Sequence, residues 1–330
     1  MKISEKARAP RAPSALPLAP TPQRHPPLLR AGDCIELSSA AATDTGLLRE
    51  SNEDRCWIDA ARGVYLVVDG VGGQAAGAVA AETAVEAIRE TVFSESSAED
   101  RVRQSIACAN RRIYERAQRE PGCHGMACVL TLAVVEDGEI VVGHVGDSRL
   151  YLIWNGAIRK LTSDHSPVGE DEDAGELTEA EAMLHPRRNE VFRDVGSRPR
   201  SAGDSDFIEI RRCRFHPDAA ILLCSDGLTD HLTAAQVREI AEAYNGDPAW
   251  VAESLVEAAN AAGGRDNITA LFVAGPEFRS PDGARREQTR PRFSTTRVRG
   301  RGILFTGRAA FLIYGLLLGL LVLVVLRFKG

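Results

Sequence analysis

The chain has 330 residues, 44% apolar and 26% charged, enough for a packed core in one large domain or two ordinary ones. Its net charge of −6 is uneven: residues 34–276 carry 23 Lys and Arg against 41 Asp and Glu, a net of −18, which repels phosphate backbones and excludes nucleic acid as a partner. The seven cysteines are scattered, odd in number and without a Cys-x-x-Cys pair, which excludes a disulfide framework and a zinc ribbon and indicates a reducing compartment.

Residues 1–33 are rich in Pro, Ala and Arg, with no continuous apolar stretch that would make a signal peptide, and are expected to be a disordered arm. A single domain is expected over 34–276. Within it, Val64–Val68 reads as a buried strand. Two helices should follow, one with Ala76, Ala80, Thr83, Ala87 and Ile88 on a face, the other with Val102, Ile106, Ala109 and Ile113. Ala127–Val135, Ile140–Val145 and Arg149–Trp154 read as successive strands, with Glu136-Asp-Gly-Glu139 as a hairpin turn. Ile221–Cys224 is a strand, Ala234–Ala243 and Pro248–Ala261 are helices, and Ile268–Val273 is a last strand. Hairpins and helices do not alternate one for one, so the class is α+β with antiparallel sheets rather than a doubly wound sheet. A basic linker over 277–304 then leads to a transmembrane helix over 305–327 and a short tail, 328–330. Ala309 to Leu326 carry no charge, and with Phe305–Gly307 the run is long enough for a span. The Arg-rich flank on the domain side puts the domain in the cytoplasm, with Arg327 and Lys329 beyond the span. Gly315 and Gly319 form one small-residue pair that does not by itself fix an oligomeric state.

One pattern recurs in the domain. Apolar strands run into an Asp: Tyr65 to Asp69-Gly70, Leu222 to Asp226-Gly227, and His144 to Asp147-Ser148. Asp266-Asn267 stands just before a strand, and Asn52-Glu53-Asp54 adds an acidic pair. Each Asp-Gly alone is an ordinary turn. Together, carboxylates at rigid strand ends repel one another unless a hard cation with a taste for oxygen lies between them. His124, His144, His165 and His185 are not at metal-like spacing and are expected in surface or core roles, and the acidic run Glu170–Glu181 reads as a solvated flap. Gly70-x-Gly72-x-x-Ala75 with Glu90 superficially suggests dinucleotide binding, but Glu90 lies inside the helical pattern and Asp69 would face the pyrophosphate.

Arg49-x-x-Asn52-Glu53-Asp54, Val67-Val68-Asp69-Gly70-Val71-Gly72-Gly73, Gly146-Asp147-Ser148-Arg149, Cys224-Ser225-Asp226-Gly227-Leu228-Thr229-Asp230 and Gly264-Arg265-Asp266-Asn267-Ile268-Thr269 occur in this order over most of the domain. The series resembles the type 2C (metal-dependent, PPM-type) serine/threonine protein phosphatases, bacterial members especially, and Leu177–Ala182 with His185-Pro186 resembles their flap. The resemblance implies a four-layer α-β-β-α sandwich of two antiparallel sheets flanked by helices. It implies two Mn2+ or Mg2+ ions, with Asp69 bridging, the Gly70 carbonyl on one ion, and Asp226 and Asp266 on the other. Asp147 with Asp226 would hold a third ion, Glu53 and Asp54 would reach metal-bound waters, and Asp230 and Asn267 would orient further waters. Arg49 would grip the substrate phosphate, and a metal-activated water would attack phosphorus in line. Phosphorylated proteins are the implied substrates and a cognate serine/threonine kinase the implied partner. The alternative is a pseudophosphatase that only binds phosphoproteins. Three positions depart from the family pattern: Val71 where some members have His, Gln74 where bacterial members often have His, and Met126-Ala127-Cys128 in place of Gly-Thr-Thr.

Overall fold

The computed structural model describes residues 36–72 and 76–279, all within the first of the chain's two units, Met1–Gln288. The expected arm 1–33, membrane span 305–327, tail 328–330 and all but the first three residues of the linker lie outside the described residues, as does Gln74. Among the described residues no helix is long and apolar enough to cross a membrane.

Two five-stranded antiparallel sheets face each other. The first runs in the order β1 (Ser38–Asp44), β10 (Ile268–Ala274), β9 (Ala220–Cys224), β6 (Arg149–Trp154) and β7 (Ala157–Lys160). The second runs β2 (Arg55–Asp59), β3 (Val64–Val71), β4 (Ala127–Glu136), β5 (Glu139–Val145) and β8 (Glu209–Arg214). Helices α1 (Ala76–Thr91) and α2 (Ala98–Arg119) cover the second sheet. Three short helices come next, α3 (Pro167–Ala174), α4 (Glu179–Ala182) and α5 (Asp226–Thr229). Then α6 (Ala234–Glu242) and α7 (Pro248–Ala261) cover the first sheet. This is the expected α-β-β-α sandwich.

Strand periodicity divides the core into three layers. Val64, Leu66 and Val68 of β3 pack under α1 and α2, whereas Tyr65 and Val67 point into the gap between the sheets. Leu222 and Cys224 of β9 likewise meet α6 and α7, and Ile221 and Leu223 fill the gap. Both faces of the central strands are therefore apolar, which is why they appear in the sequence as unbroken apolar runs. Each fully buried Leu here contributes about 2 kcal/mol. Between β4 and β5, Asp137 and Gly138 have φ of 51° and 72°, the type I′ geometry that the Asp-Gly pair predicts. The helices start at local signals: Ser97 caps α2, Thr233 and Gln236 form a capping box on α6, and Asp247-Pro248 opens α7.

The structure departs from the sequence reading in three places. β1, β2, β7 and β8 are not among the expected strands; they are the four edge strands of the two sheets, with mostly half-buried or exposed residues. The packed domain runs past 276, because Phe278 is buried with its ring 5.4 Å from Tyr244 and 5.9 Å from Phe272. The acidic run Glu170–Glu181 is not merely solvated. Glu172 bonds the buried Arg149 (2.7 Å), and Glu179 accepts from the Ala234 N–H at the start of α6 (2.7 Å).

Candidate metal centre

All the acidic motifs meet at one end of the sandwich. Asp69 continues the alternation of Tyr65 and Val67 and so faces the gap between the sheets at the end of β3. Arg55 pairs with Val68, so Glu53 and Asp54, just before β2, lie at the same end. In the other sheet Cys224 pairs with Arg149 and with Ala270, which gathers Asp226 after β9, Asp147 before β6 and Asp266 before β10.

Asp54 ties the two sheets together. It is 2% exposed, and its Oδ2 accepts from Ser225 Oγ and Thr269 Oγ1, both at 2.7 Å. Its Oδ1 is buried with no hydrogen-bond partner. Such an orphan normally costs about 1–3 kcal/mol, so the site is built for something that satisfies it. Burial pushes Asp54 up to about 6 against the help of the two hydroxyls. Asp147 is pushed up to about 7 by burial and then by Asp164. Asp69 lies well above the carboxylate range, first through burial and then through Asp54, Asp226, Asp147 and Asp266. Asp226 does so through burial and then Asp147, Asp230, Asp266 and Asp54. Carboxylates that raise one another in this way are held together against repulsion, and a divalent cation reverses the sign of the interaction. The donors are all oxygens, which suits Mg2+ or Mn2+ rather than a soft metal.

Glycines bring backbone and carboxylate into the same space. A Cβ on Gly77, in the first turn of α1, would stand 2.3 Å from Glu53 Oε2 and 2.7 Å from the Gly70 carbonyl oxygen. A Cβ on Gly70 would stand 2.3 Å from the Gly77 carbonyl oxygen. Only glycine fits at either position. Gly146, at φ +109°, turns the chain into Asp147; its N–H donates to His165 Nδ1 (3.0 Å) and its carbonyl accepts from His144 Nε2 (2.9 Å). The two histidines are thus core residues that brace this turn, as expected. His144 also bonds Thr131 through Nδ1 (2.9 Å), and together with Glu209 the pair forms the one compact His/acid group among the described residues.

Arg49 sits half-exposed at the rim, its Nη2 donating to Asp266 Oδ2 at 2.6 Å. Burial works against its charge, but Asp266 first, then Asp226 and Asp69, outweigh it and raise its pKa. Asp230 is raised mainly by burial and is bonded by Arg188 Nε of the flap at 2.8 Å. The Asn267 amide is occupied by the protein. Its Oδ1 accepts from the Glu53 N–H (2.8 Å), and its Nδ2 donates to the Thr45 and Ser51 carbonyls (2.9 Å each). Asn267 therefore fixes the loop that carries Arg49 and Glu53, a role beyond orienting water. The sequence reading gave no role to Gly77, Ser225, Thr269 or Arg188. Ser225 and Thr269 lay inside the quoted motifs, whereas the part played by Gly77 depends on a contact between segments far apart in the chain.

An all-oxygen acidic centre at the shared end of two sheets, with an arginine at its rim, defines a divalent-cation site that can receive a phosphate. The family model for protein phosphatase 2C matches residues 49–257, and the chain belongs to that family. It is 35% identical over 240 residues to the serine/threonine phosphatase stp of Listeria monocytogenes, covering 70% of this chain and 93% of the relative. It superposes on the crystal structure of the Mycobacterium tuberculosis serine/threonine phosphatase PstP/Ppp with a TM-score of 0.65 at 28% identity, over 72% of this chain and 98% of that one. It is similar to the catalytic domain of PstP in complex with two manganese ions, with a TM-score of 0.63 at 28% identity, over 72% of this chain and 97% of that one.

Proposed function

We propose that this chain hydrolyses phosphoserine and phosphothreonine in proteins with Mn2+ or Mg2+, which Asp69, the Gly70 carbonyl, Asp226 and Asp266 would hold, and that Asp147 with Asp226 would hold a further ion. The observation that carries this reading is the buried, unpartnered Asp54 Oδ1 beside carboxylates that repel one another. When bound, the cations supply charge neutralisation and an activated water. The residues do the rest. Arg49, exposed on one side, offers its remaining N–H groups to the phosphoryl oxygens. Asp266 pre-orients that guanidinium, and Asn267 fixes its loop. Glu53 and Asp54 present acceptor oxygens to ordered water, Asp54 being clamped by Ser225 and Thr269. Asp230, bonded to Arg188, links the flap to the centre and can hold a second layer of water. The PstP domain similar to this chain is described with manganese, which favours Mn2+ in the assay. A pseudophosphatase would have no use for a carboxylate cluster maintained at mutual electrostatic cost, so the catalytic reading is preferred.

The uncharged run Ala309 to Leu326 and the nine Arg between 277 and 308 support a single-pass anchor with the domain on the cytoplasmic side. Such an anchor raises the effective concentration near phosphoproteins, and near a serine/threonine kinase, at the same membrane. The catalytic reading is tested with the full chain and a phosphothreonine peptide. Hydrolysis that needs Mn2+ and stops with chelator supports it, and no hydrolysis by folded, Mn2+-replete protein rejects it. The anchor is tested by fractionation: the full chain goes with membranes and a chain ending at 304 does not, and equal partitioning of both rejects it.

A further inference from the structure

Five large apolar side chains are exposed among the described residues: Leu47, Leu48, Val71, Leu184 and Phe192. Scattered apolar residues are normal on a surface, but these are not scattered. Leu47 and Leu48 directly precede Arg49, and the Leu47 N–H donates to the Gly264 carbonyl (2.7 Å), two residues before Asp266. Val71 follows Gly70 at the end of β3, two residues from Asp69. Leu184 follows Met183, which lines a small cavity together with Asp147, Asp226, Asp230 and Arg188. The Phe192 N–H donates to the His165 carbonyl (2.9 Å), and its ring lies 6.2 Å from the His165 ring, whose Nδ1 braces Gly146 beside Asp147. Leu47, Leu48, Val71 and Leu184 are thus one or two steps from a carboxylate of the metal centre or from Arg49, and Phe192 is three. At 71% and 75% exposure, Leu48 and Leu184 have no packing role in the domain that would account for them.

We infer that these residues form an apolar collar that selects substrates by the side chains flanking the phosphorylated residue, favouring aliphatic or aromatic neighbours over acidic ones. The inference rests on the phosphatase reading. A phosphoryl group delivered to Arg49 and the carboxylates brings the peptide on either side of it across this rim, so the occupant is the substrate's own chain. Apolar flanks bury surface against Leu48 and Leu184, whereas acidic flanks meet an apolar rim set in a domain whose net charge is −18.

The test uses the full chain with Mn2+ and three phosphothreonine peptides that differ only in their flanks: Leu/Phe, Ala, and Asp/Glu. p-Nitrophenyl phosphate serves as a substrate without flanks. The expected order of kcat/KM is Leu/Phe above Ala above Asp/Glu, with about tenfold between the first two, the scale of partly burying one or two apolar side chains. The double variant L48S/L184S should lower the Leu/Phe peptide to the level of the Ala peptide, mainly through KM, and leave p-nitrophenyl phosphate unchanged. Both positions are highly exposed, so the fold tolerates the change. Equal rates on all three peptides, or a double variant that keeps the wild-type preference, would overturn the collar while leaving the phosphatase reading standing. Hydrolysis of none of the substrates would overturn both.

Discussion

Asp147→Asn should make the metal-free protein more stable, by an amount that grows with pH. The carboxyl is buried and pushed up to about 7, mainly by burial and then by Asp164, against an ordinary value near 3.9. A raised folded-state pKa means that Asp147 costs the fold nothing well below pH 4 and costs progressively more as pH rises through 7. At about 1.4 kcal/mol per pKa unit, the cost is about 1–2 kcal/mol at pH 5 and about 4 kcal/mol at pH 8. An Asn at this position stays neutral and escapes it. For a domain of this size, 4 kcal/mol corresponds to a rise in Tm of roughly 8–16 °C. Thermal unfolding of wild type and variant in chelator, at pH 5 and pH 8, reads the difference directly. Saturating Mn2+ should then narrow or reverse it, because the ion stabilises the wild type through the carboxylate that the variant lacks. A variant that is destabilised, or whose advantage is the same at both pH values, would refute the electrostatic reasoning.

Three further outcomes follow from the same geometry. Gly77→Ala would stabilise an ordinary helix by up to about 1 kcal/mol, but here the new Cβ meets Glu53 Oε2 and the Gly70 carbonyl oxygen. The expected result is a folded protein with activity reduced on the order of a hundredfold and a weaker Mn2+-induced rise in Tm; full activity would contradict the close approach. Arg49→Lys keeps the charge and loses the planar fork, so KM for a phosphopeptide should rise roughly tenfold with little change in Mn2+ affinity. A change in Mn2+ affinity with unaltered KM would move Arg49 out of the phosphate role. His144 is held down to about 4, by burial first and then by His165. Its folded-state pKa is depressed, so its contribution is complete above about pH 6.5 and is lost as pH falls toward 4, amounting to about 3 kcal/mol. His144→Gln should flatten the fall in Tm between those pH values, and an unchanged slope would show that another group controls it.

The parts of the fold that were legible in the sequence are those whose burial leaves a pattern. Val64–Val68, Ala127–Val135 and Ile268–Val273 are apolar on both faces, so they stand out as runs between turn residues, and α1, α2, α6 and α7 show one apolar stripe each. The edge strands left no such mark. Arg55–Asp59 is half-buried throughout, Glu209–Arg214 exposes Arg211, Arg212 and Arg214, and both are strands because a neighbour supplies the ladder. At the site, Asp69, Asp147, Asp226 and Asp266 were visible because each interrupts or borders an apolar strand. What no local pattern could reveal is how these ends are locked together. Asp54 is clamped by Ser225 and Thr269, more than 170 residues away in sequence, and Glu53 passes over Gly77. Asn267, expected to orient water, also spends its amide on the backbone of the 45–53 loop, which no local pattern announces. The flap looked merely acidic, yet Glu172 and Glu179 are anchors that fasten it to β6 and α6.

The central claim is that these carboxylates exist to hold divalent cations, and calorimetric titration of Mn2+ into the metal-free full chain at pH 7.5 tests it most directly. At least two ions should bind, with protons released into the buffer as the raised Asp69 and Asp226 ionise, and binding should be lost in Asp69→Asn. Absence of Mn2+ binding by the folded wild type, or binding of equal stoichiometry and affinity by Asp69→Asn, would contradict it.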